Sequence, residues 1–149
     1  MEKQNFSILL NNNAQKSLDY KFDEPLNKNG FDLIAGWIYY YPVNYSIRKY
    51  QYNTVKEALF KNILLCLPTG LGKTFVAAVV IMNYYRWFPN KKIIFIAPTR
   101  PLVNQQQQAC LSIGGIRAAD VACITGTILS NKRLELYGKH KILFMTPQV

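Results

Sequence analysis

Four residues carry the chemistry that can be read first: Gly70, Gly72, Lys73 and Thr74, within Leu67-Pro68-Thr69-Gly70-Leu71-Gly72-Lys73-Thr74. An apolar run, Ile63 to Leu67, precedes them, and the apolar segment Phe75 to Met82 follows. That layout predicts a strand, a phosphate-binding loop and a buried helix. Gly70 and Gly72 let the backbone approach a polyphosphate closely and adopt left-handed conformations that a Cβ disfavours. Successive N–H groups, including Leu71's, then face the anion at the positive end of the following helix. Lys73 is placed to reach the β- and γ-phosphates, and Thr74 to give its hydroxyl to Mg²⁺. The expected ligand is therefore ATP with Mg²⁺. Leu67 stands where the strict loop pattern has glycine, so Pro68-Thr69-Gly70 must make the turn.

The elements that would position this loop follow from patterning. The apolar helix from Lys73 to about Trp87 has almost no polar side and must pack on a sheet; Pro89-Asn90 stops it. Lys92 to Ala97 reads as a second buried strand. Pro98-Thr99-Arg100-Pro101 reads as a turn, with Pro101 opening a helix that runs to about Ser112. Val121 to Ile124 is a third strand, Asn131 to Tyr137 a short polar helix, and Lys141 to Met145 a fourth strand. Strands alternating with helices at this spacing predict an α/β fold with a mainly parallel sheet flanked by helices. In such sheets ligands bind beyond the carboxyl ends of the strands. The loops at 68–74, 98–101 and 125–127, with Thr146-Pro147, should therefore gather on one edge. Upstream, a helix is expected from about Ile47 to Phe60. The aromatic stretch 31–45 reads as packing residues, with base stacking as the other use.

The 149 residues suffice for one cored domain, and half of them are hydrophobic. Residues 1–30 are polar, Asn-rich and charge-balanced, and are expected to be a disordered leader to a folded part at 31–149. The entire net charge of +10 falls in that folded part, which suggests a polyanionic partner such as nucleic acid. No apolar run approaches the roughly 20 residues needed to cross a bilayer. Cys66, Cys110 and Cys123 lie in apolar contexts without metal-ligand spacing and read as reduced core thiols. His140, between two lysines, reads as a surface residue.

Several ordered motifs resemble the FANCM/Hef branch of superfamily 2, the DNA-junction translocases of crosslink repair. The resemblance covers about Gly30 to Val149. Arg48-Lys49-Tyr50-Gln51 looks like the family's Arg-x-Tyr-Gln element, and Leu67 to Thr74 like its motif I. Tyr85-Arg86-Trp87-Phe88-Pro89 matches the pattern that follows in eukaryotic members. Ala97 to Val103 is similar to motif Ia, Thr125-Gly126 to motif Ib, and Thr146-Pro147-Gln148-Val149 to the next strand-contacting motif. The resemblance implies a partial RecA-like domain in which Gln51 frames the adenine. It further implies that Thr99, Arg100, Thr125, Gly126 and Thr146 hold the phosphates of a DNA strand. Hydroxyls, backbone N–H groups and a guanidinium suit that role and carry no base information. An ATP-dependent 3′-to-5′ helicase or translocase acting on forks and four-way junctions in the nucleus would follow.

Two alternatives stand beside it: a non-catalytic nucleic-acid-binding module, and a double-stranded-RNA helicase of the Dicer and innate-sensor branch. The family's ATPases also need an acidic motif II and a second lobe with an arginine finger. No Asp-Glu pair follows residue 24 here, so no catalytic set is complete. The chain reads as a truncated gene model, a fragment or a shortened isoform, expected to bind ATP weakly if at all and not to hydrolyse it. Ile63 to Leu67 is expected to lose its sheet neighbour, because the family's later strands lie between it and the rest.

Overall fold

The apolar helix after the phosphate loop, α2 (Lys73–Trp87), is rich in Val and Ile, residues of modest helix propensity. Burial on two sides holds it. The computed structural model, which describes residues 28–149 and the backbone of residues 6–10, shows both sides filled. On one side Phe75, Val76, Val79, Met82 and Trp87 pack with Tyr39 and Tyr41 of β2 (Ile38–Pro42) and with Val55 and Leu59 of α1 (Lys49–Ala58) and its C-terminal cap. On the other, Ala78 and Ile81 pack against Val103 and Cys110 of α3 (Arg100–Gly114) and against the sheet residues Val121, Ile142 and Phe144. The missing polar face of α2 thus has two partners, where the sequence suggested a sheet alone.

The sheet has three parallel strands, β3 (Ile93–Ile96), β4 (Val121–Ile124) and β5 (Ile142–Met145), in the order β3-β5-β4. Ile93 and Val121 both stand opposite Ile142. Beyond it, α4 (Ser130–Lys139) lays Leu136 on a small cluster of Ala122, Ile124 and Leu143. The helix expected over 73–87 and the strand over 121–124 are found at those bounds, and helices α1, α3 and α4 and strands β3 and β5 lie within about two residues of theirs. Tyr85 ties α2 to the start of β4 by donating its hydroxyl to Asp120 Oδ2 at 2.5 Å. That bond, with the Arg117 guanidinium, holds the Asp120 carboxyl below its ordinary range.

Three features differ from the sequence reading. Residues 1–5 and 11–27 of the expected leader lie outside the described residues, but Phe6–Leu10 forms a strand, β1, antiparallel to β2 with Ile8 opposite Tyr40. A short apolar run of this kind becomes a strand by pairing with an edge already in place. Secondly, Ile63 to Leu67 is not a strand: it makes no ladder, and Leu64 is 92% exposed. The absent neighbour was expected, and without it an apolar run cannot be a strand. On β3, Ile94 and Ile96 are likewise exposed rather than buried. Thirdly, Cys66 lies on that open segment and is exposed, so only Cys110 and Cys123 are screened.

Asn83, not anticipated among the apolar residues around it, is fully buried in the middle of α2. Its Oδ1 accepts from Tyr40 N–H at 2.6 Å, and its Nδ2 donates to the Tyr40 carbonyl at 2.8 Å and the Val79 carbonyl at 2.9 Å. The side-chain amide thus satisfies β2 backbone groups as a neighbouring strand would. Trp87 Nε1 adds a bond to the Ile38 carbonyl at 3.2 Å. Asn83→Leu should lower the unfolding free energy by about 2–4 kcal/mol, because buried groups of β2 lose their partner. Urea denaturation measures this, and an unchanged midpoint would remove Asn83 from the account. The cysteines offer a second check. Burial pushes the Cys110 thiol up to about 12 and raises Cys123 as well. A chromogenic disulfide reagent at mildly alkaline pH should therefore label Cys66 first and Cys110 only on unfolding.

Candidate nucleotide and nucleic-acid site

The loop between Leu67 and α2 is a tight turn rather than an extended strand. Gly70 has φ +87° and Gly72 φ +84°, the left-handed region that disfavours a side chain. At Gly72 there is a second reason for glycine: a Cβ there would lie 2.2 Å from Nε2 of Gln51. Gly72 is also the N-cap of α2, and no side chain caps the helix. The first turn closes through Val76 N–H to the Gly72 carbonyl at 3.1 Å. The N–H groups at the start of α2 therefore have no side-chain acceptor, and the positive end of the helix dipole lies among them.

Lys73 and Thr74 occupy the first two positions of α2. The Lys73 ammonium folds back over the loop and donates to the carbonyls of Leu67 at 2.7 Å and Pro68 at 3.2 Å. A cation is thus held beside the turn by two neutral acceptors, which an anion can outcompete. Lys73 and Thr74 also line a cavity of about 390 Å³ with Leu65, Ile96, Pro98 and Gln106. This cavity brings the phosphate loop to the carboxyl end of β3, as expected of ligand sites in parallel sheets. Pro68, Thr69 and Gly70 are exposed along the turn.

Gln51 lies one turn into α1 and is buried, with Nε2 donating to the Leu71 carbonyl at 3.1 Å. It therefore reaches the phosphate loop itself. Tyr50, read in the sequence only as part of the Arg-x-Tyr-Gln element, donates its hydroxyl to the same carbonyl at 3.0 Å. Its adjacency to Gln51 and its phenol were the available signals.

The residues expected to hold a nucleic-acid strand divide into two groups. Thr99, the N-cap of α3, and Arg100, its first residue, are exposed at the carboxyl end of β3. Gly126 is exposed after β4, with its carbonyl accepting from Arg133 Nη2 at 3.2 Å. Thr125 and Thr146 are buried, and Thr125 Oγ1 pairs with Thr127 Oγ1 at 3.0 Å. Arg133 was also missed; its Nε donates to the Ile128 carbonyl at 2.6 Å, and so it shapes the loop after β4. All five stand at the carboxyl ends of parallel strands, the same end as the cavity. Among the described residues no group of three or more His, Cys, Asp or Glu could hold a metal ion. Thr74, at the second position of α2, carries a hydroxyl of the kind that binds the Mg²⁺ accompanying a triphosphate.

Comparison with known proteins places this geometry. The chain is 50% identical over 120 residues to the Fanconi anemia group M protein homolog of Mus musculus, a match covering 80% of this chain and 6% of that protein. It is 46% identical over 135 residues to the ATP-dependent DNA helicase fml1 of Schizosaccharomyces pombe, covering 91% of this chain and 16% of that one. Against the ATP-dependent DNA helicase MPH1 of Candida albicans the identity is 53% over 111 residues, covering 74% and 9%. The chain thus spans a small part of the length of these relatives. The crystal structure of a hypothetical ATP-dependent RNA helicase from Sulfolobus tokodaii superposes with a TM-score of 0.56 at 25% identity, over 70% of this chain and 30% of that one. The fold is accordingly part of a RecA-like helicase domain. Residues 48–149, from the start of the Gln51 element through the phosphate loop to the end, match the DEAD/DEAH box helicase model, and the chain belongs to that family.

Proposed function

We propose that this chain forms the triphosphate-binding part of an ATP-dependent DNA helicase or translocase acting on forked and branched DNA. The observation that carries the reading is the loop from Gly70 to Thr74. Two left-handed glycines lead into an uncapped helix start, with the Lys73 ammonium held over the turn. A polyphosphate bound there would receive backbone N–H groups, the helix dipole and a lysine together. Gln51, already against the loop, would meet the adenine edge with its remaining amide donor and its carbonyl. Thr74 would give its hydroxyl to Mg²⁺, whose chemistry when bound is to neutralise charge on the β- and γ-oxygens.

The choice of DNA rests on the relatives named above as ATP-dependent DNA helicases and on the positive charge of residues 31–149. Thr99, Arg100 and the Gly126 backbone offer phosphate contacts at the strand ends, which favours tracking along a strand without reading its sequence. Crosslink repair and recombination control in the nucleus are the setting this reading implies. A location by imaging of the tagged protein outside the nucleus would argue against that setting.

A fluorescent ATP analogue titrated into the 149-residue chain should bind, and Lys73→Ala should weaken binding by about tenfold or more, as expected for loss of a charge-assisted contact. Binding unaffected by Lys73→Ala would defeat the reading. Turnover by the chain alone should be absent, because neither the phosphate loop nor the residues lining the cavity include a carboxylate to orient water. On the nucleic-acid side, Arg100→Ala should weaken forked-DNA binding uniformly across sequences and reduce the salt slope by about one. Duplex RNA competing better than forked DNA would transfer the assignment to the RNA-acting branch.

A further inference from the structure

The Leu71 carbonyl accepts two hydrogen bonds from α1, one from Tyr50 Oη at 3.0 Å and one from Gln51 Nε2 at 3.1 Å. Two donors occupy both lone pairs of one carbonyl oxygen. The carbonyl sits between Gly70 and Gly72, both left-handed, in the part of the loop where the backbone is freest to turn. The peptide is trans and planar, so its carbonyl and its N–H point in opposite directions. With the Leu71 oxygen drawn toward α1, the Gly72 N–H is turned away from α1. A flip of this one peptide would reverse the pair and aim a carbonyl where an anion needs a donor.

We propose that Tyr50 is a positioning residue of the phosphate loop, its hydroxyl holding the Leu71–Gly72 peptide so that the Gly72 N–H faces a bound phosphate. This rests on the loop being the triphosphate site. Tyr50 is suited to the task for a reason that Gln51 does not share. Gln51 must also serve the base, so its amide is divided between two partners, whereas the phenol has one carbonyl to hold. The hydroxyl is itself oriented: Arg48 Nη1 donates to Tyr50 Oη at 3.2 Å, which leaves the phenolic proton for Leu71. A phenol that accepts from a guanidinium is polarised into a better donor. Arg48, Tyr50 and Leu71 thus form a short chain of bonds from the start of α1 to the middle of the loop.

Tyr50→Phe keeps the ring and deletes only the hydroxyl. In the isotope-labelled 149-residue chain this variant should shift or broaden the amide resonances of Gly70, Gly72 and Lys73 and leave the unfolding midpoint unchanged. Affinity for inorganic triphosphate and for ATP should fall together, by about 3- to 10-fold, the range expected for one hydrogen bond. The preference for ATP over GTP should stay as it is, whereas Gln51→Ala should lose both affinity and preference. Unmoved Gly72 resonances with unchanged triphosphate affinity would overturn the proposal. So would a Tyr50→Phe chain that keeps triphosphate affinity and loses the ATP preference, since Tyr50 would then read the base. If the unaltered chain bound no triphosphate, the nucleotide reading would fall, and the amide resonances would still report whether Tyr50 holds the peptide.

Discussion

Helix α2 must be covered on two sides, and that constraint organises the molecule. Its first residues are the ones that could touch a phosphate, so the direction of the helix axis decides where Lys73 and Thr74 stand. One helix packed on one sheet would be free to slide or roll. Here the aromatic layer of Tyr39, Tyr41 and Trp87 grips one side, and the β5 residues Ile142 and Phe144, with Val103 and Cys110 of α3, grip the other. Asn83 adds a polar fixture with a single register, since its amide fits only the Tyr40 peptide groups opposite it. Apolar packing supplies most of the stabilisation, and the amide supplies the registration.

The other side of the site is open. Ile63 to Leu67 runs beside the cavity without a ladder partner, and β3 presents Ile94 and Ile96 to solvent. Exposed isoleucines at the edge of a parallel sheet, next to an extended apolar segment, form a surface suited to pairing with further strands. The loop keeps its shape despite that opening. Gly70 and Gly72 set the turn, Lys73 bonds its carbonyls, and Tyr50 and Gln51 hold its centre from α1. The site is thus braced from the α1 side and open on the β3 side.

Much of this was legible in the residues, for identifiable reasons. The bounds of α2 follow from a glycine at one end, a proline just past the other, and the apolar run Phe75 to Met82 between. The phosphate loop follows from spacing alone. Strands were harder, because a strand is a property of a pair. Ile63 to Leu67 has strand composition and no partner, whereas the short apolar run Phe6–Leu10 has a partner in β2. Asn83 could not be anticipated, since one polar residue in an apolar helix does not disclose which backbone it will meet. Thr125 and Thr146 illustrate a similar gap: a motif places them at strand ends, and only packing tells that their side chains are buried.

The most direct measurement is a crystal structure of the chain grown with Mg²⁺ and a non-hydrolysable ATP analogue. The account predicts a phosphate within hydrogen-bonding reach of the Gly70 to Thr74 backbone N–H groups. It also predicts that the Lys73 ammonium leaves the Leu67 and Pro68 carbonyls for phosphate oxygen. Clear density for the analogue elsewhere on the molecule, with Lys73 still bonded to those two carbonyls, would contradict it.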